Sequence, residues 1–316
     1  MIRQNRRRIL NRGAWPRGKS HANKDEFDFG ELRGNGLVRK STRGLYGLMS
    51  KGDDKREGLL IDLDGVIYQS GRIIDGALQA LDWIRQQRIP HLFVTNTSSR
   101  CRDALLDKFE GLGFSAERQE VMTPIVAASE YLKQKQLFRI AAFVSEDAMR
   151  DLGDFEIVAP ESENTVDAVV VGDLGEAWDF RRLNSAFRLL MQEPAPRLIA
   201  LGMTRYWRGK DGLLLDVAPF VRALECAADC EAVVVGKPAA AFFDAALSRL
   251  RLDAAAAYMI GDDINADVGA AQLSGIRGIQ VRTGKFREVD LQGGVEPFAL
   301  LDSIADLPAW WESGRG

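Results

Sequence analysis

The chain has 316 residues, 46% of them apolar, and 42 Lys and Arg against 45 Asp and Glu give a net charge of −3; that suffices for a substantial core and favours two domains, or one domain with a large insertion. No run of about 18 uncharged apolar residues is present and the N-terminus lacks the charged-then-hydrophobic pattern of a secretory signal, so the cytoplasm is the expected compartment and no membrane contact is expected. With only two histidines, His21 and His91, and three cysteines, Cys101, Cys226 and Cys230, histidine triads, His-ligated zinc and a disulfide framework are all but excluded, which leaves carboxylates to carry any acid, base, nucleophile or metal role.

Residues 1–57 carry 15 Lys and Arg against 7 Asp and Glu, or +8 in a chain of −3 overall, leaving −11 for the remainder. Rich in Arg, Gly and Asn and without a sustained apolar period, this stretch reads as a basic, mostly disordered tail. Its Arg-rich opening has the composition of a transit peptide or of a weak RNA or membrane contact, but its low apolar content favours a passive tail, and Met49 is an alternative start.

From Gly58 onward short apolar runs alternate with amphipathic segments, the pattern of strand-helix repeats around a parallel sheet. Leu59 to Leu63 is a buried strand, Asp75 to Gln87 a helix with Leu78, Leu81 and Ile84 on one face, and Pro90 to Thr95 a second strand. A helix over Arg102 to Leu112 is closed by Gly113, and Thr123-Pro124 caps and opens another that ends near Gln136. Residues 138–231 repeat the theme, with strands at Ile140 to Val144, Ala168 to Val171 and Leu198 to Leu201 and helices at Asp179 to Gln192 and Pro219 to Ala228. A third block, 232–310, brings strand Ala232 to Val235, helix Ala240 to Leu250, strand Tyr258 to Ile260, helix Ala266 to Leu273 and strand Gly278 to Val281. The expected architecture is α/β: a doubly wound, parallel, Rossmann-like core from 58–137 and 232–310, with an inserted α/β cap at 138–231.

Four constellations follow strand ends. Asp62-Leu63-Asp64-Gly65 places two carboxylates on one side of an extended backbone before a sharp turn, and two acids so close repel unless a cation lies between them; an ordinary acidic turn has the same letters. Thr95-Asn96-Thr97-Ser98 offers hydroxyl and amide donors to phosphate oxygens, or else a helix cap. Gly236-Lys237-Pro238 presents one lysine, which in isolation reads as a solvated side chain. Gly261-Asp262-Asp263 followed by Asp267 supplies three acids at a strand end, where helix capping accounts for one. In a parallel sheet all four would share one edge, the place where open α/β sheets bind ligands.

In these four motifs and in their order the chain resembles the haloacid-dehalogenase superfamily, over residues 59 to about 310. The resemblance implies a Mg²⁺-dependent phosphohydrolase in which Asp62 is the nucleophile and a metal ligand, Asp64 is the acid/base and lends a backbone carbonyl to the metal, and Asp262 is the third protein ligand. Thr95, Asn96 and Lys237 would hold the transferring phosphoryl group, with Asp263 and Asp267 as supporting groups behind. An acid at position 64 favours phosphatase over dehalogenase, because hydrolysis of an aspartyl-phosphate needs a base for water and an acid for the leaving group.

The 140 residues between Asn96 and Lys237 resemble the large C2-type cap of subfamily IIA, which implies small phosphorylated substrates and a homodimer through the cap. Leu183-Asn184-x-Ala186-Phe187-Arg188, Gly212-Leu213-x-Leu215-Asp216-Val217 and Gln280 to Phe286 resemble phosphatases acting on phosphoamides and inorganic pyrophosphate. Arg205, beside Tyr206 and Trp207, is the expected substrate contact in the cap, or a solvated arginine beside packed aromatics. Two alternatives stand: a phosphotransferase or phosphomutase on the same scaffold, and a noncatalytic phospholigand-binding protein, which the presence of Asp64 and Lys237 opposes. No nucleic acid is required as a partner, since the aromatics lack the spacing of a stacking platform.

Overall fold

The computed structural model describes residues 56–162, 164–209 and 212–314, so the expected tail at 1–57 lies almost wholly outside the described residues. In chain order the elements begin with β1 (Gly58–Asp62), a hairpin of β2 (Tyr68–Gln69) and β3 (Arg72–Ile73), α1 (Ala77–Gln86), β4 (His91–Val94), α2 (Arg102–Leu112), β5 (Val121–Met122) and α3 (Pro124–Gln134). Then come β6 (Arg139–Phe143), α4 (Glu146–Met149), β7 (Glu156–Ile157), β8 (Ala168–Val171), α5 (Phe180–Leu190), β9 (Arg197–Ala200), a hairpin of β10 (Tyr206–Gly209) and β11 (Gly212–Leu215), α6 (Val217–Ala228) and β12 (Val233–Val234). The last stretch holds α7 (Ala240–Leu250), β13 (Ala257–Gly261), α8 (Ala270–Leu273), β14 (Arg277–Val281), β15 (Ala299–Leu301) and α9 (Leu307–Glu312).

Two parallel sheets result, one ordered β15-β14-β13-β1-β4-β5 and the other β12-β9-β8-β6-β7. In the first, the chain winds from β1 to β4 and β5, leaves to build the second sheet, and returns to β13, β14 and β15 on the opposite side of β1. This is the doubly wound α/β pattern with an inserted α/β module, and the reversal at β1 opens a crevice at the carboxyl ends of β1, β4 and β13.

Local chemistry sets the elements. The side chain of Thr123 accepts the Val126 N–H at 3.3 Å ahead of Pro124, which starts α3, and Gly113, at φ 92°, closes α2 in the left-handed conformation that a side chain would resist. Along β1, Leu59 and Ile61 face one apolar cluster and Leu60 the other, the period of two that buries a strand on both faces. The cluster around Leu60 continues through α3 and α7 into Ile140, Ala168 and Ile199 of the second sheet, while Ala141, Phe143 and Val169 face α5 and α6 on that sheet's far side. A shared apolar layer thus joins the two sheets.

Two expectations change. The run at 232–235 forms a strand, β12, but it pairs with β9 in the second sheet rather than completing the first; an apolar run carries no record of its partner, and the true edge strands β5 and β15 are too short to show a period. The helix expected from Ala266 begins as a π-helical turn over Ile264–Gly269 before α8, a wide turn of the kind that clusters at functional sites. The hairpins at 68–73 and 206–215 and helix α9 were not foreseen.

Candidate active site

Three strand ends meet at the switch point. β1 ends in Asp62, β4 runs into Thr95 and Asn96, and β13 runs through Gly261 into Asp262; the parallel register sets Val94 opposite Asp62 and Ile260 opposite Ile61. Lys237 arrives by another route. The Val235 N–H still bonds the Ala200 carbonyl of the second sheet at 2.9 Å, and the chain then passes so close to Leu201 that a Cβ on Gly236 would stand 2.3 Å from its carbonyl oxygen. Glycine is required at that crossing.

The Lys237 ammonium donates to Asp62 Oδ1 at 2.5 Å and to Asp267 Oδ1 at 2.7 Å, and all three side chains are buried. Carboxylate oxygens of Asp62, Asp262 and Asp267 lie within 4.8 Å of one another. Asp262 Oδ2 accepts the Lys285 N–H at 2.8 Å, whereas its Oδ1 is buried with no hydrogen-bond partner among the described residues. Two glycines in the left-handed region, Gly65 at φ 90° and Gly284 at φ 68°, make room for this carboxylate, since a Cβ on either would stand 2.1 Å from Oδ2.

Burial governs the charges here. It pushes Asp62 up to about 7 against the pull of Lys237, with Asp267 and Asp262 adding to the rise, and it pushes Asp262 up to about 6 against the Lys285 N–H. Burial alone would lower the Lys237 ammonium, but Asp267 and Asp62 hold it above its ordinary value. Three shielded acids beside one buried lysine leave surplus negative charge and one naked oxygen. An all-oxygen donor set of this kind fits a hard divalent cation, which relieves the repulsion that burial makes costly.

A cleft of about 510 Å³ opens over these groups. Of the residues singled out in the sequence, Asp62, Asp64, Thr95, Asn96 and Lys237 line it, and Asp262 joins the acid group. Asn96 Nδ2 donates to the Lys237 carbonyl at 3.1 Å, which ties the loop after β4 to the lysine. Thr95 Oγ1 accepts the Thr97 N–H at 3.1 Å. Asp64 is exposed and bridges to Tyr68, and the Gly65 N–H meets the Tyr68 carbonyl at 2.7 Å. The loop after β4 is also latched to the second sheet's module: Ser145 Oγ donates to the Ser99 carbonyl at 2.6 Å, and the buried Asp151 carboxylate accepts the Arg102 N–H at 2.8 Å.

Arg205 is exposed just ahead of the β10–β11 hairpin, with its guanidinium 5.8 Å from the Tyr206 ring, and its carbonyl accepts the Asp216 N–H at 3.1 Å beside the cleft. The cap residues that do line it are Asp173, after β8, and Asp216, ahead of α6. The sequence held a sign of the first, since Val171-Gly172-Asp173 repeats the strand-Gly-Asp pattern of Ile260-Gly261-Asp262. Asp267, expected behind the acids, stands among them, and Lys285, which lines the cleft with Nζ 3.6 Å from Asp263, falls in the stretch Gln280 to Phe286 that the resemblance marks.

Two family models match, a haloacid dehalogenase-like hydrolase model over residues 59–157 and a HAD-hydrolase-like model over residues 234–307. The chain is 40% identical over 237 residues to the phospholysine phosphohistidine inorganic pyrophosphate phosphatase of Homo sapiens, covering 74% of this chain and 85% of that protein. It is 40% identical over 234 residues to the haloacid dehalogenase-like hydrolase domain-containing protein 2 of Bos taurus, covering 74% and 87%. Among solved structures, the p-nitrophenyl phosphatase from Archaeoglobus fulgidus matches with a TM-score of 0.72 at 26% identity, covering 80% of this chain and 98% of that one.

Proposed function

The chain belongs to the haloacid dehalogenase-like hydrolases and is a phosphatase, and from that premise we propose that it hydrolyses a small phosphorylated substrate through an aspartyl-phosphate on Asp62, with Mg²⁺ held by the carboxylates of Asp62 and Asp262 and the backbone carbonyl of Asp64. The observation that carries this reading is the convergence of Asp62, Asp262 and Asp267 within 4.8 Å beside Lys237, with one Asp262 oxygen left unpartnered. The bound ion would supply charge neutralisation for the phosphoryl oxygens and the acids.

The residues then divide the work. A carboxylate oxygen of Asp62 attacks phosphorus as the bond to the leaving group breaks, and Asp64, exposed to the cleft, hands that group a proton. In the second half Asp64 takes a proton from water, which attacks the same phosphorus, frees phosphate and restores Asp62. Lys237 is already hydrogen-bonded to the attacking carboxylate, so its charge meets the phosphoryl oxygens that arrive there. Thr95 and Asn96, on the cleft wall, would donate to those oxygens.

Among substrates, the acidic wall supplied by Asp173 and Asp216 disfavours a leaving group that brings its own negative charge and tolerates an amine. Of the two classes in the human relative's name, this favours a phosphoamide over pyrophosphate. Residues 58–137 and 236–310 would act as the core and 138–235 as the cap. A homodimer through the cap would use the β10–β11 hairpin, where Tyr206, Leu213 and Leu215 are exposed. No helix among the described residues is long and apolar enough to cross a membrane. The test is a phosphate-release panel of phosphoamides, pyrophosphate, sugar phosphates, nucleotides and pyridoxal phosphate, run with Mg²⁺ and with chelator. Mg²⁺-dependent release from at least one ester or amide is expected, and turnover unaffected by complete chelation would refute the metal assignment.

A further inference from the structure

We propose that the segment from Gln280 to Lys285, the end of β14 and the loop after it, is a positioning strap that orients Asp262 toward the metal, so that Thr283 sets divalent-ion affinity without touching substrate. The proposal rests on the reading of Asp62 and Asp262 as ligands of one ion. Gln280, fully buried, donates from Nε2 to the Asp262 carbonyl at 2.8 Å and to the Val281 carbonyl at 2.9 Å. The Lys285 N–H donates to Asp262 Oδ2 at 2.8 Å. Thr283 Oγ1 donates at 2.5 Å to the carbonyl of Gly65, in the loop that starts at Asp62.

These contacts have one joint effect. They engage the backbone and one carboxylate oxygen of Asp262 and leave Oδ1 bare. Gly65 and Gly284 are the two positions at which a Cβ would strike Oδ2, so the Asp62 loop and the strap close on the same carboxylate from two sides. The Thr283 hydroxyl bonds those sides to each other. Loss of an outer hydrogen bond that aims a ligand typically weakens metal binding by about 10- to 100-fold.

The experiment is a calorimetric titration of the substrate-free, full-length protein with Mg²⁺, comparing wild type with Thr283→Val, Thr283→Ser and Thr283→Ala and checking each for folding by thermal melt. Thr283→Val should bind Mg²⁺ about tenfold more weakly, and Thr283→Ser, which keeps the hydroxyl, should restore wild-type affinity. The Mg²⁺ concentration for half-maximal phosphate release should rise by the same factor while kcat at saturating Mg²⁺ holds. Thr283→Ala adds no bulk and repeats the test should the valine variant fold poorly. Unchanged affinity in a folded valine or alanine variant would overturn the strap and leave the ion site standing. A wild-type protein that takes up no divalent ion would overturn both.

Discussion

Both sheets are parallel, both bury their central strands on two faces, and each contains an apolar strand that runs into Gly-Asp, yet of those two ends it is the first sheet's that buries its acid within a cluster of carboxylates and a lysine. At Gly261-Asp262 the acid is buried, glycines at 65 and 284 crowd its carboxylate, and one oxygen lacks a partner. At Gly172-Asp173 the acid is only half-buried and bonds the Gly175 N–H at 2.8 Å, a local turn contact. The difference lies in the neighbouring loops. An acid at a strand end becomes reactive when the chain around it removes water and leaves it short of donors, and the first sheet does this because its winding reverses at β1.

The sharpest way to break this contrast is to neutralise the first sheet's central acid. Asp62→Asn should lower phosphate release by at least about 10⁴-fold with little change in circular dichroism, and retained turnover would end the nucleophile assignment. Next in size, Lys237→Met removes the cation that bridges two buried acids. In the absence of metal it should cost about 3–5 kcal/mol of stability at neutral pH, read by denaturant unfolding, and about 10²- to 10³-fold in kcat.

The pH dependence follows from the same crowding. Asp62 and Asp262 hold their protons to about 7 and about 6, against an ordinary carboxylate value of 3.8. At these two acids the folded chain holds protons that the unfolded one has lost between pH 3.8 and about 7, and their contribution to metal-free stability should fall as pH rises through that window. Mg²⁺ requires the deprotonated acids, so the stabilisation it brings should grow over the same range. Thermal melts with chelator and with Mg²⁺ would check both trends; a metal-free melting temperature that climbs toward pH 7 would contradict the charge surplus.

The second sheet should respond on a smaller scale. Asp173→Asn and Asp216→Asn should each improve kcat/KM for a leaving group with negative charge relative to one with an amine by roughly fivefold, about 1 kcal/mol, and no change in that ratio would detach the acidic wall from selectivity. Arg205→Ala should alter KM by no more than about twofold, the scale of an exposed side chain; a larger loss would bring the hairpin back into the site.

Much of this was legible in the residues. The strand ends at Asp62, Thr95 and Asp262 are marked by buried apolar runs that break into polar groups, a pattern that reports its own position. What the pattern does not carry is which strand lies beside which. The run that forms β12 thus suits either sheet by its residues and pairs with β9, so Lys237 comes to the acids from the second sheet rather than along the first. Asp267 looked like a helix-start acid because its place among the carboxylates depends on the π-helical turn and on Gly261, where a Cβ would stand 2.2 Å from Asp267 Cβ. Lys285 and Thr283 act through a backbone N–H and a carbonyl-directed hydroxyl, contacts that residue type alone does not announce.

The most direct measurement is a crystal structure of the protein soaked with Mn²⁺ and read at the manganese absorption edge. We expect one anomalous peak with carboxylate oxygens of both Asp62 and Asp262 at roughly 2.0–2.3 Å. An active protein whose only peak lies elsewhere, or touches one of these acids and not the other, would contradict the claim that the two ends of the chain share a single ion.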